Sequence, residues 1–399
     1  MKRWLNAPLI IITLILVVYG AIMVTVASQG YTLVATMIKK EYFGIAAGAA
    51  LACAIVAIDY RHFKTWWPGL MILVAVLTFL PKIPGFGVTV AGGTLWVGIA
   101  GHALFQPSEP AKLFAILAVA SYVARYEGQI PTLGEFLKAA GFACIPFVLI
   151  MVAGDLGTAL VMIAVMLGVL LVGGARAKHL IIFIVIGVMA VAGVLWLNTA
   201  LGTHPVKQSD GTIVQDHYLI KNYQLDRLTV FVNPNGDTSN AGYQLQQSKI
   251  TIGSGQLTGS GLKGGTQTSL DFLPTRQTDF IFATLAEKLG FIGCAALFVL
   301  YVALFFTGLS ISSSSEDMFG TLIAIGIISM WLFQVLQNAG MTMGVMPITG
   351  IPLPFMSYGT TALMMNLMCV GLLGSIWAHR PYLSATKGTI RRGITYQNR

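Results

Sequence analysis

Long apolar segments alternate with short polar ones along almost the whole chain. The hydrophobic pattern separates ten apolar segments, at residues 8–28, 42–58, 66–81, 110–124, 139–153, 156–173, 179–199, 279–308, 318–340 and 361–379. A helix needs about 20 apolar residues to cross the hydrocarbon core of a bilayer. Within lipid only helices and closed barrels satisfy the backbone, and these segments lack the strict alternation of strands. The pattern therefore predicts an all-α polytopic membrane protein with about ten transmembrane helices.

Composition supports this interpretation. The chain has 399 residues, of which 56% are hydrophobic and 10% charged, whereas soluble proteins are about 25% charged. The start of the chain has the basic-then-apolar order of a signal peptide, but its apolar run is too long and offers no clean cleavage site. We expect it to be the first, uncleaved span. The four cysteines lie in four different apolar segments and the six histidines are scattered, so neither a disulfide nor a zinc site is indicated.

The distribution of Lys and Arg predicts the orientation. With a cytoplasmic N-terminus, 13 of these residues fall in inner loops and tails and three in short outer loops, which is the bias of the positive-inside rule. Both termini are then cytoplasmic. The expected organisation is helices 1–7 over 1–199, an extracytoplasmic loop over 200–278, helices 8–10 over 279–379, and a basic cytoplasmic tail over 380–399. The net charge of +9 serves as an anchor to anionic membrane lipids and is no sign of nucleic acid.

Ionisable side chains within membrane spans are costly and mark functional candidates. Six of them lie in the spans or at their ends, all in the predicted outer half of the membrane: Glu109, Lys112, Asp155, Asp279, Glu287 and Lys288. A transport path would be lined through its full depth. The one-sided distribution instead predicts a site that opens outward, beside the long loop.

Three of these residues have simple structural interpretations. Glu109 and Lys112 are spaced i, i+3 behind Ser108, a predicted N-cap, so they can pair on one helix face. The pair can be a self-neutralising anchor or part of a site. Asp155 follows Gly154 at the start of a span, and an N-cap role is favoured over direct catalysis.

Asp279 is the strongest candidate for a catalytic base. It precedes Phe280 and Ile281, so that a carboxylate stands at the membrane surface with apolar residues behind it. Desolvation would raise its pKa and make it a better base, whereas a helix N-terminus would lower the pKa. The alternative is a plain N-cap. Glu287, eight residues further on, can face the same cavity.

The polar segment before Asp279 supplies further candidates. Arg227, Lys263 and Arg276 could hold phosphates or be solvated loop charges. Trp96, in a shorter outer loop, has the position of an interfacial anchor. The glycine-rich stretch 253–265 lacks the Lys-Ser/Thr ending of a P-loop and indicates tight turns.

At these residues the chain resembles the SEDS family (shape, elongation, division and sporulation), most closely its RodA-type members. The resemblance runs from residue 59 to 379 and rests on six motifs in order: QPSEPAKL (106–113), DLGTAL (155–160), GYQLQQSKITIGSG (242–255), LPTRQTDFIFA (273–283), EKLGFIG (287–293) and PITGIPLPFMSYG (347–359). The family's essential aspartate falls on Asp279 and its outer-loop tryptophan on Trp96. Its cavity charges fall on Glu109, Lys112 and Asp155. Leu95 stands where an arginine is common, and residues 203–216 look like an insertion.

The resemblance implies a peptidoglycan glycosyltransferase of the bacterial cytoplasmic membrane. Such an enzyme polymerises lipid II into a growing glycan strand on the outer face during cell elongation, together with a class B penicillin-binding protein. One carboxylate suffices as the base. The leaving pyrophosphate requires cations, from Arg227, Lys263, Arg276 or a bound divalent ion such as Mg²⁺.

Two other functions compete with this one. A lipid II flippase would need a hydrophilic path across the bilayer, and a non-catalytic scaffold for the penicillin-binding protein would tolerate loss of Asp279. In the ninth span, Gly320 and Ala324 have the small-xxx-small spacing of a helix-packing face. That face can serve the partner's helix or the bundle itself.

Overall fold

The computed structural model describes residues 5–31, 33–90, 93–99, 102–207, 213–217, 225, 227, 230–231, 240–270 and 272–380. Twelve α-helices are delimited within these ranges, besides three short 3-10 helices: α1 Ala7–Ala27, α2 Val34–Ala57, α3 Trp67–Phe79, α4 Ser108–Val123, α5 Leu133–Val152, α6 Leu156–Val172, α7 Ala177–Leu201, α8 Asn240–Ser254, α9 Thr266–Ser269, α10 Ile281–Ser313, α11 Met318–Met343 and α12 Thr360–Ala378. The basic tail predicted from residue 380 lies outside the described residues from 381 onward.

Ten of the helices, α1 to α7 and α10 to α12, coincide with the ten apolar segments of the sequence. By length and composition, seven of the described helices can cross a membrane, and two shorter apolar helices accompany them. α4 has 16 residues and carries charges in its first turn. The prediction of an all-α polytopic membrane protein is confirmed, and the chain is a multi-pass membrane protein.

Two helices form the centre of the bundle. In α4, small side chains such as Ala111, Ala115 and Ala118 are fully buried, so neighbouring helices can approach it closely. α11 packs against both α4 and α6. These contacts belong to one large hydrophobic cluster with buried residues from α1, α3 to α7 and α10 to α12, and partly buried residues of α2 pack against it. α4 and the charged residues near its N-terminus therefore lie in the middle of the bundle.

The small residues of α11 pack within this bundle. Ala324 is fully buried. A Cβ on Gly320 would lie 2.8 Å from the ring of Tyr60, and one on Gly326 would lie 2.7 Å from Ile116. Of the two roles that the sequence left open for this face, internal packing is the one observed.

Two small sheets interrupt the helical pattern, and the sequence pattern did not predict them. Strands β1 Gly87–Val90, β2 Gly93–Ile99 and β3 His102–Phe105 form an antiparallel sheet that leads into α4. Strands β4 Thr203–Lys207 and β5 Ile213–His217 form a hairpin after α7. The second sheet falls in the stretch 203–216 that looks like an insertion in the sequence.

α10 is broken in its N-terminal third. Gly290 has φ +63° and ψ −164°, a backbone conformation outside the helical region. The groups that the break releases bind the segment after α8: the carbonyls of Glu287 and Lys288 accept from residues 260 and 261, and the amides of Phe291 and Ile292 donate to residues 256 and 257. The break therefore docks residues 256–261 onto α10 by four backbone hydrogen bonds.

Candidate active site

Asp279 lies in a turn directly before α10. The N-cap of α10 is Phe280, which makes no side-chain capping bond, so the interpretation of Asp279 as a plain N-cap is wrong. The Asp279 side chain is half-buried. Asp279 therefore lies next to the start of α10, but its carboxylate does not cap that helix.

Three consecutive carbonyls of this turn are held by groups from later in the chain. The amide of Tyr358 donates to the carbonyl of Gln277 at 2.8 Å. The hydroxyl of Ser357 donates to the carbonyl of Thr278 at 2.6 Å. The side-chain amide of Asn338 donates to the carbonyl of Asp279 at 2.9 Å. The backbone that carries the carboxylate is thus fixed residue by residue.

Asp279 and Arg227 meet at Gly350. A Cβ built on Gly350 would lie 3.4 Å from Oδ2 of Asp279 and 3.6 Å from Nη1 of Arg227. Burial raises the pKa of the Asp279 carboxyl, and the nearby Arg227 guanidinium and the Thr278 side chain act against this rise, leaving the pKa above its usual value. A raised pKa makes the carboxylate a stronger base. Desolvation therefore outweighs the neighbouring groups that favour the charged form.

A small cavity of about 40 Å³ adjoins Gly350 within the bundle. Its lining includes the predicted cavity charges Glu109, Lys112 and Asp155, with Gln106, Gly157, Thr158, Val161, Ile351 and Pro352. This volume is enough for a few water molecules. Gly350 also lies beside Asp279 and Arg227. Asp279 and the charged residues of the cavity come from three separate sequence motifs, and all lie close to the backbone at Gly350.

The polar groups of this cavity are paired. Nζ of Lys112 lies 2.8 Å from Oε1 of Glu109, and both side chains are buried. Asp155 is the N-cap of α6: its carboxylate accepts from the amide of Thr158 at 3.0 Å and from the hydroxyl of Thr158 at 2.9 Å. The expected pair and the expected cap are both present. Ser108 is not a cap, because α4 begins at Ser108 itself with Pro107 as N-cap.

Two other candidates have structural partners. The guanidinium of Arg276 is 1% exposed and donates to the carbonyls of Ala27 at 2.8 Å and Gln29 at 2.6 Å, at the end of α1. The carboxylate of Glu287 accepts from the amides at the start of α9, at 2.9 and 3.1 Å. Glu287 thus faces α9, and it is not among the residues that line the cavity.

The remaining candidates are nearer to solvent. Lys263 is exposed in the segment between α8 and α9. Trp96 is half-exposed on β2, opposite Val88 of β1. Two residues separate the end of the sheet from the start of α4. Trp96 therefore lies on the sheet that leads into the helix bearing Glu109 and Lys112.

Several residues that hold the site escaped the sequence interpretation because they are uncharged. Asn338, Gln334 and Gln337 are buried amides in the apolar helix α11. Buried polar groups need partners, and their clustering within one turn was the available signal. Gly350 and Ser357 lie in a loop motif whose residues gave no chemical signal of their own.

A family model described as a cell cycle protein, of the FtsW/RodA/SpoVE type, matches residues 6–382. Stage V sporulation protein E of Bacillus subtilis (strain 168) is 34% identical over 380 residues, which cover 94% of this chain and 97% of that protein. The chain belongs to the FtsW/RodA/SpoVE family. Peptidoglycan glycosyltransferase MrdB of Escherichia coli (strain K12) is also 34% identical, over 387 residues and 96% of each chain.

Two solved structures have the same fold as this chain. A chain of a peptidoglycan synthase complex that coordinates polymerization and crosslinking aligns with a TM-score of 0.75 at 24% identity, covering 94% of this chain and 97% of that one. RodA of Thermus thermophilus aligns with a TM-score of 0.66 at 22% identity, covering 94% and 97%. The SEDS resemblance found in the sequence motifs is confirmed.

Proposed function

We propose that this protein is a peptidoglycan glycosyltransferase that polymerises lipid II during cell elongation, with Asp279 as its general base. The observation that carries the proposal is the Asp279–Arg227 pair at Gly350, beside a polar cavity in the bundle. Curated family members of similar length are named peptidoglycan glycosyltransferases. The pairing of a base with a cation is what this group transfer requires.

In the proposed step, Asp279 takes the proton from the 4-hydroxyl of the acceptor sugar. The oxygen forms a bond to the anomeric carbon of the donor, and the bond from that carbon to the polyprenyl pyrophosphate breaks with inversion. The raised pKa of Asp279 makes proton transfer more favourable at neutral pH. Because the acceptor is a sugar hydroxyl rather than water, the two carboxylates of a hydrolase are not needed.

The leaving pyrophosphate needs positive charge. Arg227 lies beside Asp279 at Gly350, and we assign it the first phosphate contact, with the exposed Lys263 as the second. Arg276 is assigned instead to holding the turn, because its guanidinium binds the end of α1. Within the described residues no three His, Cys, Asp or Glu side chains form a metal cluster. A divalent ion such as Mg²⁺ would therefore be bound mainly by the substrate's pyrophosphate.

The proposed setting is the outer face of the cytoplasmic membrane, with both termini cytoplasmic and a class B penicillin-binding protein as partner. The excess of Lys and Arg in the inner loops supports the orientation. For the partner, α10 offers an apolar stripe of Val299, Val302 and Phe306, which are 67%, 49% and 68% exposed. These residues are spaced i, i+3 and i+7, so they lie on one helix face.

The test uses purified full-length protein in vesicles with fluorescent lipid II, with and without the penicillin-binding protein. We expect glycan polymer from the wild-type protein and a loss of about 10²–10⁴ in rate for Asp279→Asn. Movement of lipid II across the vesicle without polymer would favour the flippase. Polymer made only by the partner, with Asp279→Asn equal to wild type, would favour the scaffold.

A further inference from the structure

One buried amide connects the two walls of the site. Nδ2 of Asn338 donates to the carbonyl of Asp279 at 2.9 Å and to the carbonyl of Ile351 at 2.8 Å. Ile351 lines the cavity and follows Gly350, the residue at which Asp279 and Arg227 meet. The amide therefore sets the spacing between the turn that carries the carboxylate and the loop that forms the cavity.

Asn338 is held in place by the helix that carries it. The side chain is fully buried on α11, one of the two central helices. Both hydrogens of its amide nitrogen are used, one for each carbonyl. By contrast, the other two contacts to this turn come from Ser357 and Tyr358, which belong to a loop. Of the three contacts, the one to Asp279 itself comes from a helix of the core.

We propose that Asn338 is a positioning residue for the glycosyl transfer, holding Asp279 at a fixed distance from the cavity. The proposal rests on the base role proposed for Asp279. A displacement of about 1 Å in a reacting group can cost about 10²-fold in rate. Loss of the two bonds should therefore lower kcat while leaving the affinity for lipid II nearly unchanged, because Asn338 contacts backbone carbonyls of the protein.

The variants are chosen to separate position from packing. Asn338→Ala removes both donors and some volume. Asn338→Asp keeps the shape but presents carboxyl oxygens to the two carbonyls. We expect both to lower kcat by about 10²-fold with KM within about threefold of wild type. They should also shift the acidic limb of the pH profile, since the surroundings of Asp279 change.

Asn366→Ala is the matched control. Asn366 is a buried amide of α12 that accepts from the indole of Trp331 at 2.7 Å and donates to the carbonyl of Ala362 at 2.9 Å. It should lower thermal stability as Asn338→Ala does, with an unchanged pH profile. Asn338 variants with wild-type kcat and pH profile would overturn the inference, as would a rise in KM alone.

Failure of the inference can be told apart from failure of the proposed base. Activity in Asp279→Asn would refute the base itself. An inactive Asp279→Asn alongside fully active Asn338 variants would refute only the positioning role. Should Asn338→Ala not fold, the isosteric Asn338→Asp, judged folded by its thermal transition and by lipid II binding, decides the question.

Discussion

Lys112 and Glu109 form an ion pair of 2.8 Å in the lining of the cavity, and the two side chains are only 5% and 6% exposed. Removing one partner would leave an uncompensated buried charge, which costs roughly 3–5 kcal/mol. We expect Glu109→Gln and Lys112→Met each to be strongly destabilising, and the double variant to be less so than their sum. Thermal unfolding in detergent measures the coupling.

The pair of Lys64 and Asp317 at 3.3 Å provides a matched comparison, because the Lys64 side chain is 48% exposed. Its double-mutant cycle should give a coupling below about 1 kcal/mol. Equal couplings in the two cycles would mean that burial does not strengthen the cavity pair.

Arg227 should control the pH dependence of the reaction. The base must be deprotonated, so activity rises as the pH passes upward through the pKa of Asp279. That pKa is raised by burial and drawn back by Arg227. Arg227→Gln removes the opposing influence, and we expect the acidic limb of kcat/KM to move to higher pH. Lys249→Gln, a change to an exposed cation of α8, should leave the limb in place. A limb that stays in place in Arg227→Gln would show that the guanidinium does not act on the base.

Asp279→Asn should be more stable than the wild-type protein at neutral pH. A carboxyl whose pKa is raised by folding contributes stability below its unfolded pKa and loses that contribution as the pH rises through the folded pKa. An amide does not titrate. We expect the variant to gain roughly 0.5–2 kcal/mol at pH 7, with the gain shrinking as the pH falls. Pairs of thermal melts across the pH range test this, and a gain that grows toward low pH would reverse the assigned shift.

Gly290 should tolerate no side chain. A Cβ there would lie 2.4 Å from the amide nitrogen of Gly259 and 2.6 Å from the carbonyl of Leu257. Gly290→Ala should therefore displace the docked segment and destabilise the protein by more than about 1–3 kcal/mol, the usual cost of such backbone strain alone. Gly187→Ala in α7 meets nothing within 4 Å and should be neutral or slightly stabilising. Equal melting temperatures for the two variants would contradict the docking.

The exposed stripe of α10 should bind the partner's helix. Helix association in lipid depends on close packing, so the bulky Val302→Trp should reduce co-purification with the penicillin-binding protein by about tenfold or more. It should also leave the thermal stability of the isolated protein unchanged. Val188→Trp, on the exposed face of α7, is the control. Wild-type recovery of the partner with Val302→Trp would place the interface on another face.

Hydropathy and charge predicted the helices, the Glu109–Lys112 pair and the cap at Asp155, because each depends on residues close together in sequence. The break at Gly290 was not predictable, since the apolar pattern of α10 continues through it. The environment of Arg276 was hidden for another reason. An arginine in a polar segment is usually solvated, whereas this one binds carbonyls 249 residues earlier in the chain. Contacts over such separations leave no local pattern.

That contact of Arg276 bears on how the protein is assembled. The turn carrying Asp279 is tied to α1 by Arg276 and to residues 338, 357 and 358 by its three carbonyls. Its supports therefore come from the first and the last parts of the chain. During synthesis the membrane helices can insert in order, but the turn gains its supports only when α11 and the loop that follows it have joined α1. The segment that carries Asp279 is thus among the last parts to reach its final structure, and a chain that stops before residue 357 would lack two of its supports.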